Sequence, residues 1–186
     1  MAKPKKKGLN GVRGLVHIYT GDGKGKTTAA IGLGIRACGR DLKVAFVQFL
    51  KGVDTGELKT LQGLGEVFKV YRNSDTVKFV KDMNQQEMQA ARAGMGRLWQ
   101  TAKNLGNQGQ CDLLILDEIM AAISTGLLPL KDVALWVREK PSELELVMTG
   151  RNAPAELVEL ADYVSEIKAV KHPYSRGIKA RKGIEF

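Results

Sequence analysis

The stretch YTGDGKGKTTAA, residues 19–30, decides the fold prediction for this chain. Its residues at 25–27, Gly-Lys-Thr, match the end of the phosphate-binding pattern G-x-x-x-x-G-K-[ST]. Thr20 stands where that pattern has its first glycine, and Gly21 and Gly23 follow it closely. Successive backbone amides in such a loop, next to a helix N-terminus, attract anions. The stretch therefore predicts a phosphate-binding loop that departs from the usual pattern at its first position.

Segments with strand and helix patterns alternate on both sides of this loop. Alternation of this kind predicts a three-layer α/β, P-loop NTPase-like fold with a mainly parallel central sheet. The most hydrophobic run, CDLLILDEI at 111–119, is predicted to be a central strand. The predicted strands are 14–20, 43–50, 67–72, 111–119, 144–150 and 163–171, and the predicted helices are 26–39, 84–105, 130–140 and two short ones, after 57 and after Pro154.

Ligands of parallel sheets bind beyond the carboxyl ends of the strands. We therefore expect one crevice whose walls come from the segments that follow the predicted strands. These segments are 20–28, 48–57, 72–80, 117–126 and 149–154.

Positive charge is concentrated at the two ends of the 186-residue chain, whose net charge is +9. We expect a basic tail at 1–13 and a single domain over 14–186, which is large enough for a substantial core. The segment 168–182 carries six Lys or Arg residues and no acid, and it suits either phosphate contact or a solvated face. Because no aromatic residues alternate with these charges, we expect no nucleic acid partner.

The chain lacks an apolar run long enough to span a membrane, and no signal-peptide core follows its basic start. Its two cysteines, Cys38 and Cys111, lie far apart in the sequence and form no C-x-x-C motif. We therefore expect a cytoplasmic protein with no membrane association, whose cysteines are reduced and buried.

The predicted phosphate site combines a lysine, a threonine and two acids. Lys26 supplies a positive charge, and the Thr27 hydroxyl suits Mg²⁺. The motif LLILDE ends in Asp117 and Glu118, which can hold Mg²⁺ opposite that hydroxyl or can cap the following helix. Glu118 can also position an attacking water, and the local sequence leaves that alternative open. Lys24 is either a second phosphate contact or a solvent-facing charge.

Several motifs in order give the chain a family resemblance. They are TGDGKGKTTAA, VQFLKG…TGE, LLILDEI…A…GLL, VMTGR and the closing KHPYSRGIKARKGIEF. From about residue 14 to the C-terminus, the chain resembles the corrinoid adenosyltransferases of the ATP:cob(I)alamin type. The loop and the closing segment are specific to that family, whereas LLILDE alone is a weak signal.

The resemblance implies a reaction in which a reduced corrinoid with Co(I) attacks the ribose 5′-carbon of ATP. The products are an adenosylated corrinoid and inorganic triphosphate. Because the bond broken is carbon–oxygen, the whole triphosphate leaves, and the loop with Mg²⁺ must neutralise charge along all of it. The family also implies that ATP lies in the reverse direction to that in ordinary P-loop ATPases, that a reductase such as a flavoprotein supplies Co(I), and that the enzyme is a homodimer.

The resemblance assigns roles to residues across the chain. Arg36 and Arg151 are candidate nucleotide contacts, although Arg36 can equally form a surface salt bridge. Gln48 and Lys51 end the second predicted strand and face the crevice. The catalytic candidates are Lys26, Thr27 and Glu118; the metal candidates are Thr27, Asp117 and Glu118; the cofactor-binding candidates are Thr20, Gly21, Asp22, Gly23, Lys24, Gly25, Lys26, Thr27, Thr28, Arg36 and Arg151.

The corrinoid side is less clearly marked. Some family members carry a Gly-Phe-x-Trp-like segment after the third strand, where this chain has YRNSDTVKFVKD. Tyr71 and Phe79 are the candidates for an apolar surface near the cobalt, with core packing as the alternative. His172 is more typical of a packed tail residue than of a cobalt ligand. Lys171, Lys179 and Arg181 either bring charge over the site or stabilise the tail.

Two other classes compete with this interpretation. A nucleotide kinase or a hydrolysing ATPase would share the loop and the acids, although the zinc-binding cysteines typical of thymidine-type kinases are absent. A nucleic-acid-stimulated ATPase would account for the basic ends. Products formed with and without a reduced corrinoid distinguish all three.

Overall fold

The computed structural model describes residues 12–50, 55–73 and 80–185, apart from the side chain of Lys81. Most of the predicted basic tail lies outside these residues. Six strands form one sheet in the order β3-β2-β4-β5-β1-β6, and every neighbouring pair is parallel. The α/β fold class is therefore confirmed. The strands are β1 Val16–Thr20, β2 Val44–Gln48, β3 Phe68–Arg72, β4 Leu113–Asp117, β5 Glu145–Thr149 and β6 Tyr163–Glu166.

Within the described part of the chain, six α-helices cover the two faces of this sheet. One core cluster packs α1 and α2 against one face, and a larger cluster packs α3, α4, α5 and α6 against the other. The helices are α1 Lys26–Cys38, α2 Gly56–Gln62, α3 Gln85–Asn107, α4 Ile119–Ser124, α5 Leu130–Glu139 and α6 Ala155–Leu160, and 3₁₀ turns lie at Gly65–Val67, Val80–Asp82 and Pro173–Arg176.

The central strand β4 is fully buried, as its run of apolar residues predicts. Helix α3 begins with a capping box, in which the Asn84 side chain accepts from the Glu87 amide and Glu87 accepts from the Asn84 amide. The described helices contain no segment long and apolar enough to cross a membrane. Cys111 is buried as expected, whereas Cys38 is only half-buried.

Two differences from the predicted elements are large. Helix α4 was not predicted, because its six residues are too few to show a helical repeat that distinguishes them from the apolar residues of β4. Glu118 separates the two with a left-handed backbone, at φ 61° and ψ 23°. The predicted strand 163–171 ends at Glu166, because the next amide, that of Ile167, donates to the Thr20 carbonyl at the phosphate loop.

At the amino edge of the sheet, which is the edge where the strands begin, charged side chains form hydrogen bonds between neighbouring strands. Lys140 Nζ donates to the carbonyls of Gly14 and Leu144, at 2.8 Å each. His17 Nε2 lies 2.6 Å from Glu145 Oε1. Burial lowers the pKa of Lys140 despite the opposing charge of Glu145. These contacts connect the start of β1 to the start of β5. The carboxyl edge, where the strands end, is the edge at which a ligand can bind.

Candidate active site

A crevice of about 870 Å³ lies at the carboxyl edge of the sheet, where such a fold binds its ligands. Its walls are the phosphate loop, the starts of α1, α2 and α4, the turn after β5 and the C-terminal segment. The lining residues are Asp22, Gly23, Lys24, Gly25, Lys26, Thr27, Thr28, Ile31, Gly56, Glu57, Glu118, Ala121, Ser124, Arg151, Asn152, His172, Gly183, Ile184 and Glu185.

The glycines of the phosphate loop are explained by a close approach to Ile167. The Gly23 amide donates to the Ile167 carbonyl at 2.7 Å. A Cβ on Gly21 would lie 2.5 Å from that carbonyl oxygen, and one on Gly23 would lie 2.7 Å from it. Gly21 also has φ 97°, which disfavours any side chain. The chain therefore needs glycine at these two positions, whatever residue precedes them.

Thr20 lies behind this loop rather than in the crevice. Its hydroxyl accepts a hydrogen bond from the Ala153 amide at 3.3 Å, and its carbonyl accepts from Ile167. Thr20 does not line the crevice, although the sequence placed it among the nucleotide contacts. Its side chain instead links the end of β1 to the turn after β5.

Lys26 is held by the loop that it follows. Its Nζ donates to the carbonyls of Gly21 at 2.6 Å and Gly23 at 2.8 Å, and the residue is 8% exposed. Burial lowers the pKa of Lys26, and the nearby carboxylate of Glu118 opposes that shift. The ammonium group is thus anchored at the base of the loop, at the start of α1, where the helix dipole also favours an anion.

Asp117 is the centre of a buried hydrogen-bond network. It is 0% exposed, and its Oδ1 accepts from the hydroxyls of Thr27 at 2.8 Å and Thr149 at 2.7 Å. Gln48 Nε2 donates to Oδ2 at 3.2 Å. Thr149 in turn accepts from the Glu118 amide at 2.9 Å. The carboxylate therefore fixes the loop threonine relative to the ends of β2, β4 and β5.

This arrangement suits Mg²⁺ in a particular way. Because the Thr27 hydroxyl donates its hydrogen bond to Asp117, the lone pairs of the Thr27 oxygen stay available to a hard cation. Asp117 is fully buried, accepts hydrogen bonds from Thr27, Thr149 and Gln48, and does not itself line the crevice. Glu118 lines the crevice beside them and offers a further carboxylate oxygen.

Left-handed backbone is concentrated at this edge of the sheet. Four non-glycine residues have positive φ within the described ranges. Three of them follow strands: Leu50 with φ 54° after β2, Glu118 with φ 61° after β4, and Asn152 with φ 53° after β5. Backbone strain of this kind is typical of functional sites, where it aims groups at a ligand.

Two cations at the rim of the crevice have exposed acidic partners. Arg151 Nε lies 3.9 Å from Asp22 Oδ1, and the two side chains are 67% and 80% exposed. Lys24 Nζ lies 3.4 Å from Glu185 Oε1. Both cations line the crevice, so the structure brings these predicted contacts together with Lys26.

Arg36 is a further predicted contact that does not line the crevice. It is exposed in the last turn of α1, ten residues after Lys26 and so about 15 Å away along the helix axis. Its charge instead reaches Tyr19, where burial raises the tyrosine pKa and Arg36 opposes that rise.

The corrinoid candidates are only partly described. Tyr71 is half-buried in β3 and packs against the larger core cluster, and it does not line the crevice. Phe79 and Lys51 lie outside the described residues. His172 does line the crevice, and its Nδ1 accepts from the Tyr174 amide at 3.2 Å.

The sequence missed two residues at the site. Thr149 belongs to the motif VMTGR, at the end of a predicted strand, but only Arg151 of that motif was assigned a role from the sequence. Glu185 is the single acid in an otherwise basic C-terminal run, and that contrast could have singled it out. Of the basic tail candidates, Arg181 reaches the crevice indirectly through Glu185, whereas Lys171 and Lys179 are exposed and do not line it.

Comparison with known proteins matches residues 12–186 to the family described as ATP:corrinoid adenosyltransferase BtuR/CobO/CobP. The chain is 37% identical to a corrinoid adenosyltransferase of Escherichia coli strain K12, over 94% of this chain and 86% of that protein. It is 35% identical to the corrinoid adenosyltransferase CobA of Salmonella typhimurium, over 94% of this chain and 86% of that protein. A corrinoid adenosyltransferase of Pseudomonas aeruginosa is 34% identical, over 94% and 84%.

Proposed function

Because the chain belongs to the ATP:corrinoid adenosyltransferase family, as its motifs predicted, we propose that it transfers the 5′-deoxyadenosyl group of ATP to the Co(I) centre of a reduced corrinoid. Inorganic triphosphate is released, and the product serves the synthesis or salvage of adenosylcobalamin. The observation that supports the proposal best is the crevice itself, which Lys26 and Thr27 of the phosphate loop line together with Glu118.

The reaction needs positioning and charge neutralisation more than acid–base chemistry. The cobalt electron pair attacks the ribose 5′-carbon and forms the Co–C bond, while the C–O5′ bond breaks and its electrons go to the triphosphate oxygen. Co(I) is a strong nucleophile, so no side-chain base is required. The loop amides and the buried ammonium of Lys26 stabilise the charge that grows on the leaving group.

We place Mg²⁺ at Thr27, with Asp117 behind that threonine and Glu118 beside it. Bound there, the ion would neutralise part of the triphosphate charge. The proposal is supported by the hydrogen bond from Thr27 to Asp117, which orients the threonine oxygen toward the crevice wall. The Glu118 amide donates to the Thr149 hydroxyl, which holds the Glu118 backbone beside the crevice that this residue lines.

The remaining nucleotide contacts are assigned by their place on the crevice. Arg151 and Lys24 are proposed to contact the triphosphate from the rim of the crevice, and the other lining residues of the loop, within 22–28, from its base. Arg36 and Thr20, which the sequence grouped with them, have no support from this geometry. ATP bound in the reverse direction to ordinary P-loop ATPases remains the arrangement that best fits a triphosphate leaving group.

The substrate and protein partners follow from the family. We propose that Tyr71 and Phe79 lie toward the corrinoid, and that a reductase such as a flavoprotein supplies Co(I). A homodimer is proposed as well, and the exposed side chains of Tyr163 and Val164 on edge strand β6 support it. A cytoplasmic location stays a prediction from the two free cysteines.

The decisive experiment is an anaerobic assay with ATP and chemically reduced cobalamin, cobinamide or cobyrinic acid a,c-diamide. We expect the absorbance change of Co–C bond formation, with one triphosphate released for each corrinoid adenosylated. Formation of ADP and phosphate without any corrinoid would refute the proposal. Omitting Mg²⁺ tests the metal assignment separately.

A further inference from the structure

The C-terminal strap, defined here as residues 181–185, folds back over the phosphate loop. Gly183, Ile184 and Glu185 line the crevice together with the phosphate loop, α4 and the turn after β5. A left-handed glycine at 183, with φ 77°, turns the chain so that the Glu185 amide donates to the Arg181 carbonyl at 2.9 Å. All five strap residues are exposed overall, so little apolar contact holds the strap in place.

Among the side chains of the strap, the carboxylate of Glu185 has the most described hydrogen bonds. Its oxygens accept from the Arg181 amide at 2.8 Å and from the Arg181 guanidinium at 3.0 and 3.2 Å. Oε1 also lies 3.4 Å from Lys24 Nζ. The Glu185 side chain is 23% exposed, against 59% for Arg181 and 49% for Lys24. An anion thus lies between a cation of the loop and a cation of the tail.

A bound triphosphate would compete for the same two cations. Carboxylates and phosphate oxygens both bind arginine, often through two parallel hydrogen bonds, and both pair with the single positive charge of lysine. The two anions also repel each other when they share one crevice, so they cannot both be held there at low cost. The hydrogen bonds from Arg181 hold the pKa of Glu185 at about 2, which keeps the carboxylate charged near neutral pH.

We propose that Glu185 competes with the triphosphate for binding to Lys24 and Arg181. A bound triphosphate displaces the Glu185 carboxylate from these two cations and binds both of them. The inference rests on the proposed function only for the identity of the anion. Arg181 then becomes a triphosphate-binding residue delivered by the strap. When triphosphate leaves, Glu185 returns to the two cations and helps to expel the product.

The test measures binding of inorganic triphosphate to the full chain by calorimetry, in the presence of MgCl₂. Glu185→Gln removes the competing charge, and we expect triphosphate to bind about three- to tenfold more tightly. Glu185→Asp keeps the charge and should bind nearly as the wild type does. Glu139→Gln, an equal charge change on exposed α5 at the other edge of the sheet, is the matched control and should have no effect.

A double-mutant cycle tests the exchange of partners. Arg181→Ala should weaken triphosphate binding, and the gain from Glu185→Gln should shrink in the Arg181→Ala background. Hydrogen exchange at the Arg181 amide should speed up when triphosphate binds, because Glu185 is its acceptor. Exchange that stays slow would overturn the displacement.

Equal or weaker triphosphate binding by a folded Glu185→Gln variant would also overturn the proposal. Weaker ATP binding with unchanged triphosphate binding would assign Glu185 to the ribose instead, and would likewise refute competition. These measurements are independent of the adenosylation assay. A wild-type enzyme that adenosylates corrinoids while Glu185→Gln binds triphosphate normally would contradict only this inference.

Discussion

At each of the two edges of the sheet, where the strands begin and where they end, a lysine donates to two backbone carbonyls; Lys26 is buried and Lys140 is half-buried. At the amino edge, Lys140 contacts Gly14 and Leu144; at the carboxyl edge, Lys26 contacts Gly21 and Gly23. Burial lowers the pKa of both lysines. Only Lys26 lies on an open crevice, on a loop built of glycine. The same interaction is therefore a structural link at one edge and part of a ligand site at the other.

The strongest test of this difference replaces each lysine. We expect Lys26→Ala to lower kcat/KM for adenosylation about 100-fold or more, because it removes the buried cation that faces the leaving group. Lys140→Ala should instead lower the free energy of unfolding by about 1 to 3 kcal/mol, since two carbonyls lose their donor, and should leave kcat/KM of the folded enzyme intact. Similar activity losses in both variants would erase the distinction.

Two carboxylates provide the next comparison. Asp117→Asn should raise the Mg²⁺ concentration that gives half-maximal activity by about 10- to 100-fold, because the charge behind Thr27 is lost. Asp162 at the amino edge accepts only from the Val16 amide among its described hydrogen bonds, at 2.8 Å. Titration of activity with Mg²⁺ should therefore give a wild-type midpoint for Asp162→Asn. A wild-type midpoint for Asp117→Asn would remove Asp117 from the metal site.

The Thr149 hydroxyl tests how much the buried hydrogen-bond network behind the crevice contributes to stability. Thr149→Val keeps the shape but takes a donor from Asp117 and an acceptor from the Glu118 amide. We expect about 1 to 3 kcal/mol less unfolding free energy, measured by denaturant titration. Thr149→Ser, which keeps the hydroxyl, should recover most of that loss. If it does not, the methyl packing rather than the hydrogen bonds is responsible.

Arg151 tests the exposed rim of the same crevice. Because Arg151 and Asp22 are both well exposed, their ion pair contributes little to stability. We expect Arg151→Ala to leave the melting temperature nearly unchanged and to raise the KM for ATP about tenfold, the value of one charged hydrogen bond. Arg151→Lys should restore only part of the affinity. An unchanged KM would place Arg151 outside the nucleotide site.

The smallest effect is expected for Arg36, which lies on the same helix as Lys26 but outside the crevice. Arg36→Ala should change kcat and KM by less than about twofold, because an exposed charge some 15 Å along the helix is strongly screened. Steady-state kinetics with ATP and reduced cobalamin measure this directly. A large rise in KM would mean that the nucleotide extends along α1, and would restore the assignment made from the resemblance.

The sequence predicted most of the fold, because its elements have strong local signals. The buried strand β4 and the loop before α1 follow from local patterns of apolar residues, glycine and lysine. The contact of Asp117 with Thr149 could not be predicted, because the two are 32 positions apart and only the register of β4 and β5 brings them together. The role of Arg36 stays a prediction, because a resemblance gives a residue's position in the chain and not its distance from the site along a helix.

The close packing of the phosphate loop on Ile167 constrains the length of the functional chain. The Gly23 amide has its acceptor in a residue more than 140 positions later, beyond the last strand of the sheet. A truncation that stopped before Ile167 would remove that acceptor while leaving the loop sequence untouched. The phosphate loop therefore obtains this acceptor only after residue 167 has been synthesised.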